Sequence, residues 1–175
     1  MSDEKSEKKP NILVTGTPGV GKSHLCAKAA EKLNFKWWDV SKIAKEKNFV
    51  EEHDDEYDCP ILDEDKLLDY LEPKMDEGGN IVEYHGCEFF PERWFQVVFV
   101  VTCNNTTLFD RLKDRGYNEK KLKSNIECEI FKLIEEEAKA SYSDDIVFEL
   151  KGDTAQDAEN SIKIIRNWYS AWKRK

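Results

Sequence analysis

Long apolar runs are missing from this chain. The longest, Val97 to Val101, falls far short of the roughly 20 residues that cross a bilayer, so no membrane span is expected. The opening stretch, Met1 to Lys9, is charged and has no apolar centre. It reads as a disordered tail over residues 1–9 rather than a signal peptide. Cysteine is odd in number, at Cys26, Cys59, Cys87, Cys103 and Cys128, and no two are spaced C-x-x-C. That argues against a disulfide framework and a structural zinc site, and points to a reducing compartment. Basic charge is short as well: 27 Lys and Arg face 36 Asp and Glu, a net charge of −9. Such a balance disfavours a broad nucleic-acid surface, which needs clustered positive potential. Arginine is scarcest, with Arg93, Arg111, Arg115, Arg166 and Arg174 the full set.

The 175 residues suit one domain, placed at residues 10–175. Short β-branched or aromatic runs alternate with stretches of helical period. Strands are expected at Asn11–Thr15, Phe35–Trp38, Asn80–Tyr84, Gln96–Thr102 and Asp145–Leu150. Helices are expected at Ser23–Leu33, Ser41–Lys47, Asp63 to about Glu72, Thr106–Asp114, Lys120–Ala140 and Thr154–Lys173. Pro73 is expected to end or kink the helix opened by Asp63. The alternation implies parallel strands with right-handed crossovers, hence a three-layer α/β fold on a five-stranded parallel sheet. Glu51 to Asp65 holds nine carboxylates and no Lys or Arg; it reads as a solvated loop or as a dock for a basic partner.

Residues 16 to 23 read Gly-Thr-Pro-Gly-Val-Gly-Lys-Ser, matching G-x-x-x-x-G-K-[ST] between a strand and a helix. Gly16, Gly19 and Gly21 let the backbone wrap a phosphate chain, and successive N–H groups with the helix N-terminus point at the anion. Lys22 is expected to reach the β- and γ-phosphates, the Ser23 hydroxyl to ligate Mg²⁺, and His24 to offer its backbone N–H. The motif implies binding of a nucleoside triphosphate with Mg²⁺ and transfer of the terminal phosphoryl group.

Such chemistry needs a second acid near Mg²⁺ at the end of another core strand. Glu83 is the candidate, acting directly or through water, against the plainer reading of an exposed strand-end carboxylate. His85 lies two residues on, at the carboxyl edge where ligands collect, with catalysis, packing and loop bonding all open to it. Charge on the migrating phosphoryl calls for arginines. Arg111 and Arg115 share one face at a helix end, and Arg115 opens Gly116-Tyr117-Asn118, a plausible lid hinge. A surface salt bridge is the alternative for either.

Three further blocks are distinctive: Tyr84-His85-Gly86-Cys87 followed by Phe89-Phe90-Pro91-Glu92-Arg93-Trp94-Phe95; Glu56 to Asp65 (EYDCPILDED); and Arg115 to Leu122 (RGYNEKKL). With the P-loop, they resemble the adenylate kinase isoenzyme 6 family over about residues 10 to 172. The resemblance implies an adenylate-kinase-like P-loop NTPase fold with a segment binding the nucleoside monophosphate at about 39–62 and a short lid at about 114–124. It implies the reaction ATP + AMP ⇌ 2 ADP with Mg²⁺, slow ATP hydrolysis, and a part in maturation of the small ribosomal subunit through a basic ribosomal protein. Nucleus and cytoplasm are the implied locations, and a monomer is expected. Gly19, Gly21, Lys22, Ser23, His24 and Arg115 carry over as ATP contacts, while Lys45 and Arg93 are assigned to the acceptor.

Two departures stand out. The family's second motif is usually Asp-x-His, where this chain has Glu83-Tyr84-His85, and its acceptor segment tends to carry an Arg where this chain has Lys45. Lysine keeps the charge but loses the bidentate fork, so weaker AMP binding is expected. An assembly ATPase that gates binding of a ribosomal protein is the main alternative function. A P-loop kinase of a sugar or shikimate-like acceptor is a weaker one, which the distinctive blocks oppose.

Overall fold

The computed structural model describes residues 7–174. The tail expected over residues 1–9 therefore lies outside the described residues up to residue 6. Glu7 to Lys9 are exposed, and the Lys9 carbonyl accepts a hydrogen bond from Gly79 N at 3.3 Å.

The chain runs β1 (Asn11–Thr15), α1 (Lys22–Leu33), β2 (Lys36–Asp39), α2 (Val40–Glu46), β3 (Val50–Asp54), β4 (Cys59–Leu62), α3 (Glu64–Glu77) and β5 (Asn80–Glu83). It continues with β6 (Val97–Thr102), α4 (Asn105–Asp114), α5 (Glu119–Ile130), α6 (Leu133–Ser141), β7 (Val147–Lys151) and α7 (Ala155–Lys173). Five strands form one parallel sheet in the order β2-β5-β1-β6-β7. The three central strands are apolar on both sides because helices cover both faces. Ile12, Val14, Ile81 and Phe99 pack with α1, α4 and α7, while Leu13, Val82, Val98 and Val100 pack with α2, α3 and α6. The period of two along each strand thus divides one sheet between two cores.

A buried amide pair closes the amino-terminal edge of the sheet. Asn11 Nδ2 donates to the Met75 and Trp94 carbonyls, both at 2.9 Å, and Asn80 Nδ2 donates to Asn11 Oδ1 at 2.9 Å and to the Lys74 carbonyl at 2.8 Å. Carbonyls at the end of α3, which have no partner within their own helix, are satisfied there.

Three expectations need correction. The helix opened by Asp63, whose carboxylate caps Lys66 N at 3.2 Å, runs through Pro73 to Glu77. Pro73 and Asp69, the residue whose carbonyl it leaves without an N–H, both lie on the exposed face, where water can serve that carbonyl. The acidic stretch is not a loop: β3 and β4 pair as an antiparallel hairpin. Its turn is held by Asp54, which accepts from Glu56 N at 3.0 Å and Tyr57 N at 3.2 Å, an Asx turn. The long helix expected at Lys120–Ala140 breaks at Lys132, whose φ is 52°. Leu122 and Ile126 pack on the first core, Ile134 and Ala138 on the second. A single straight helix cannot reach both sides of a sheet, so the chain turns between them.

Candidate active site

The P-loop emerges from β1 at the carboxyl edge of the sheet and feeds α1. Gly21, at the start of α1, has φ 106°, a conformation that only glycine adopts freely. The Lys22 side chain is buried and folds back on its own loop, donating to the Gly16 carbonyl at 2.7 Å and the Thr17 carbonyl at 3.1 Å. Burial pulls its pKa down to about 8 against the opposing attraction of Glu83, and Arg115 adds to the depression. A lysine held this way is a charge short of anionic partners.

Glu83 ends β5 beside it, 6% exposed. Its Oε2 accepts from Ser23 Oγ at 2.7 Å and its Oε1 from Trp37 Nε1 at 3.1 Å. Burial raises its pKa; the Ser23 hydrogen bond and Lys22 oppose the rise, and Asp39 adds to it. Asp39 is the Glu83 partner in the β2–β5 register. Glu83 thus stands at the end of a neighbouring strand, beside the P-loop hydroxyl.

These groups open into a cleft of about 910 Å³ lined by Lys22, Ser23, Lys45, Glu83, His85 and Arg115. A second recess of about 350 Å³ lies beyond the P-loop, lined by Arg111, Arg115, Gly152 and Thr154. The two share Gly19, Gly21, His24 and Arg115. Gly152 lets the loop after β7 press on the P-loop, since a Cβ there would sit 2.0 Å from the Val20 carbonyl. The β3–β4 hairpin and α5 meet at the cleft: Lys120 is ion-paired with Glu56, and Lys121 Nζ donates to the Asp58 carbonyl at 2.9 Å. Lys121 and Tyr57 both line the cavity.

His85 stands at the cleft wall with a face open to solvent. Its partly desolvated ring and the charges of Lys22 and Lys121 all lower its pKa, so it is neutral near pH 7. Among the described residues Arg111 forms no salt bridge, yet its guanidinium is bonded on both sides. Its Nη1 donates to the Gly19 carbonyl at 3.2 Å and its Nη2 to the Asp153 carbonyl at 3.0 Å. Arg93 does not join the cleft: it pairs with Glu72 of α3 at 2.5 Å. It precedes Trp94, whose carbonyl binds Asn11 at the start of β1, so it lies at the edge of the sheet opposite the P-loop. Its assignment to the acceptor is corrected accordingly.

Trp37, Asp39, Lys121 and Gly152 were not singled out from sequence. Trp37 and Asp39 gain their place from strand register and Gly152 from a loop contact, neither of which leaves a local pattern. Lys121 falls inside the distinctive block after Arg115, which was the available signal.

The donors present fit a hard divalent cation carried by a nucleotide. Ser23 and Glu83 offer oxygen, and Mg²⁺ ordinarily takes one or two protein oxygens with phosphate and water completing its shell. Among the described residues no three His, Cys, Asp or Glu side chains converge on a point, so the rest of that shell would come from phosphate and water.

Comparison with known proteins fits this geometry. The AAA domain family model matches residues 12–132. The adenylate kinase isoenzyme 6 homolog of Drosophila melanogaster is 70% identical over 175 residues, 100% of each chain. That of Caenorhabditis elegans is 50% identical, covering 94% of this chain and 92% of the relative. Among solved structures, a shikimate kinase from Bacteroides thetaiotaomicron superposes with TM-score 0.61 at 18% identity, over 92% of this chain and 98% of that one. The YorR protein of Bacillus subtilis gives 0.60 at 17%, over 94% and 98%. At such identities these two share only the fold. Identity of 70% along an entire chain is a different matter, and the protein belongs to the adenylate kinase isoenzyme 6 family of P-loop kinases.

Proposed function

We propose that the protein transfers the γ-phosphoryl group of Mg·ATP to AMP, ATP + AMP ⇌ 2 ADP, and hydrolyses ATP slowly when the acceptor is absent. The observation that carries this reading is the pair of recesses at the P-loop, which share Gly19, Gly21, His24 and Arg115. Two nucleotides placed there meet end to end at Lys22 and Arg115. Positioning and charge stabilisation account for most of phosphoryl-transfer catalysis, and these residues supply both. Lys22 exchanges the carbonyls of Gly16 and Thr17 for phosphate oxygens. Ser23 donates to Glu83 and keeps a lone pair, so the two would hold a cation that would offset the charge of the phosphates. Arg115 faces the migrating group and Lys45 the acceptor phosphate. Neutral His85 lines the wall, where its ring can hydrogen-bond without adding charge. Closure of the β3–β4 hairpin against α5 excludes water, and incomplete closure yields hydrolysis.

A second reading, an ATPase whose nucleotide state gates a basic small-subunit ribosomal protein, draws on the hairpin. Of the nine carboxylates from Glu51 to Asp65, all but Asp54 and Asp63 are exposed, and such a field attracts a basic partner. A role in small-subunit maturation, in nucleus and cytoplasm, belongs to this proposal. One experiment separates the readings: Mg·ATP turnover with each nucleoside monophosphate, then with a basic ribosomal protein, following ADP and phosphate separately. Two ADP per ATP with AMP alone supports the kinase. Phosphate release stimulated only by the protein, with no AMP-dependent ADP, overturns it in favour of the ATPase.

A further inference from the structure

Trp37 sits where neither packing nor nucleotide contact accounts for it. It lies on the edge strand β2, 37% exposed, and is not among the residues lining either recess. Strand register explains its reach. Trp37 pairs with Ile81 and Asp39 with Glu83, so Trp37, Asp39, Ile81 and Glu83 project to one face of the sheet, the α1 side that carries Ser23. Trp38 projects to the other face and spends its indole N–H on Asn80 Oδ1 at 2.8 Å. Trp37 spends its own on Glu83 Oε1 at 3.1 Å, while Ser23 Oγ holds Oε2 at 2.7 Å. Each carboxylate oxygen therefore has one tether, on opposite sides.

We infer that Trp37 is a positioning residue for phosphoryl transfer, fixing the Glu83 carboxylate in the plane that serves Ser23 and a cation bound beside it. This rests on the reading that Glu83 serves Mg·ATP. The chemistry gives the tether a purpose. Glutamate has one more rotatable bond than aspartate and gives up more rotamer freedom when held. A single bond to Ser23 leaves the carboxylate free to swing about that contact. The indole N–H on the far oxygen removes that freedom, as partners behind a metal-binding carboxylate generally do.

The test uses Trp37→Phe and Trp37→Leu, which both lack the N–H but differ in bulk. ADP binding is measured by calorimetry with Mg²⁺ and with EDTA, alongside thermal unfolding. The gain in affinity that Mg²⁺ confers is expected to fall about tenfold in both variants, with binding in EDTA unchanged within about twofold. In a Glu83→Ala background, Trp37→Phe is expected to change nothing further, because the group it holds is gone. Equal losses with and without Mg²⁺, or an intact Mg²⁺ gain in Trp37→Phe while Glu83→Ala loses it, would overturn the role of Trp37 and leave that of Glu83 standing. An intact Mg²⁺ gain in Glu83→Ala itself would overturn both.

Discussion

The guanidinium of Arg111 donates to the carbonyl of Gly19 at 3.2 Å and, from its other nitrogen, to the carbonyl of Asp153 at 3.0 Å. One side chain on α4 thus ties the P-loop to the loop before α7. Arg115, one turn further on, is exposed and lines both recesses. The two arginines share a helix face but not a job, and their variants should differ. Arg111→Ala is expected to lose about 1–3 kcal/mol of stability and to raise the ATP KM more than it lowers kcat. Arg115→Ala is expected to leave the melting temperature unchanged and to lower kcat roughly 10²–10³-fold. Thermal unfolding and steady-state kinetics on the pair check both.

Ser23 and Glu83 hold each other at 2.7 Å, so each loses its partner when the other is changed. Ser23→Ala and Glu83→Gln are each expected to lower kcat by roughly 10²-fold, and the double variant by much less than the product. Multiplicative losses would show that the two act independently.

Lys22 has its pKa pulled to about 8 in the nucleotide-free protein, mainly by burial. Bound phosphates favour its charged form and raise that value. Between the two values binding must take up a proton, so uptake is expected above pH 8 and absent near pH 6.5. Calorimetry in two buffers of different ionisation enthalpy reads this directly. The folded-state pKa is depressed below the ordinary lysine value of 10.5, so keeping Lys22 charged costs stability below pH 8. That cost fades as pH rises above 8.

Lys45 lines the larger cleft as a point charge. Lys45→Arg adds the planar fork that suits a phosphate and is expected to lower the AMP KM by several fold, up to about tenfold for ~1.4 kcal/mol, with the ATP KM unmoved. An AMP KM for the natural chain no higher than for the variant would remove Lys45 from the acceptor site.

Lys120 and Glu56 join α5 to the hairpin tip, both side chains about half exposed. Exposed pairs contribute about 0.2–1 kcal/mol, so Lys120→Glu should shift closure modestly. Phosphate released per ADP formed is expected to rise about two- to fivefold, and combining it with Glu56→Lys should restore the ratio. Raised salt should mimic the single change.

Strand and helix order, the P-loop and the acid at the end of β5 were all legible along the chain, because each rests on near-neighbour chemistry. A run of β-branched residues buries itself on both faces, and glycines before Lys22 and Ser23 permit one turn and little else. Hairpin β3–β4 was not legible: its acids mask the pattern of two, and Asp54 forms the turn through its side chain. The break at Lys132 was hidden for the opposite reason, since Leu122 through Ala138 keep a continuous helical period while serving two separate cores. What tertiary structure alone decided is which side chains meet across the sheet. Register set Trp37 behind Glu83, Arg111 became a tie between the P-loop and the loop before α7, and Arg93 went to the far edge. Residues distant in sequence are brought together by packing, whose geometry no local pattern carries. The family motifs located the chemistry, and the fold distributed the charges around it.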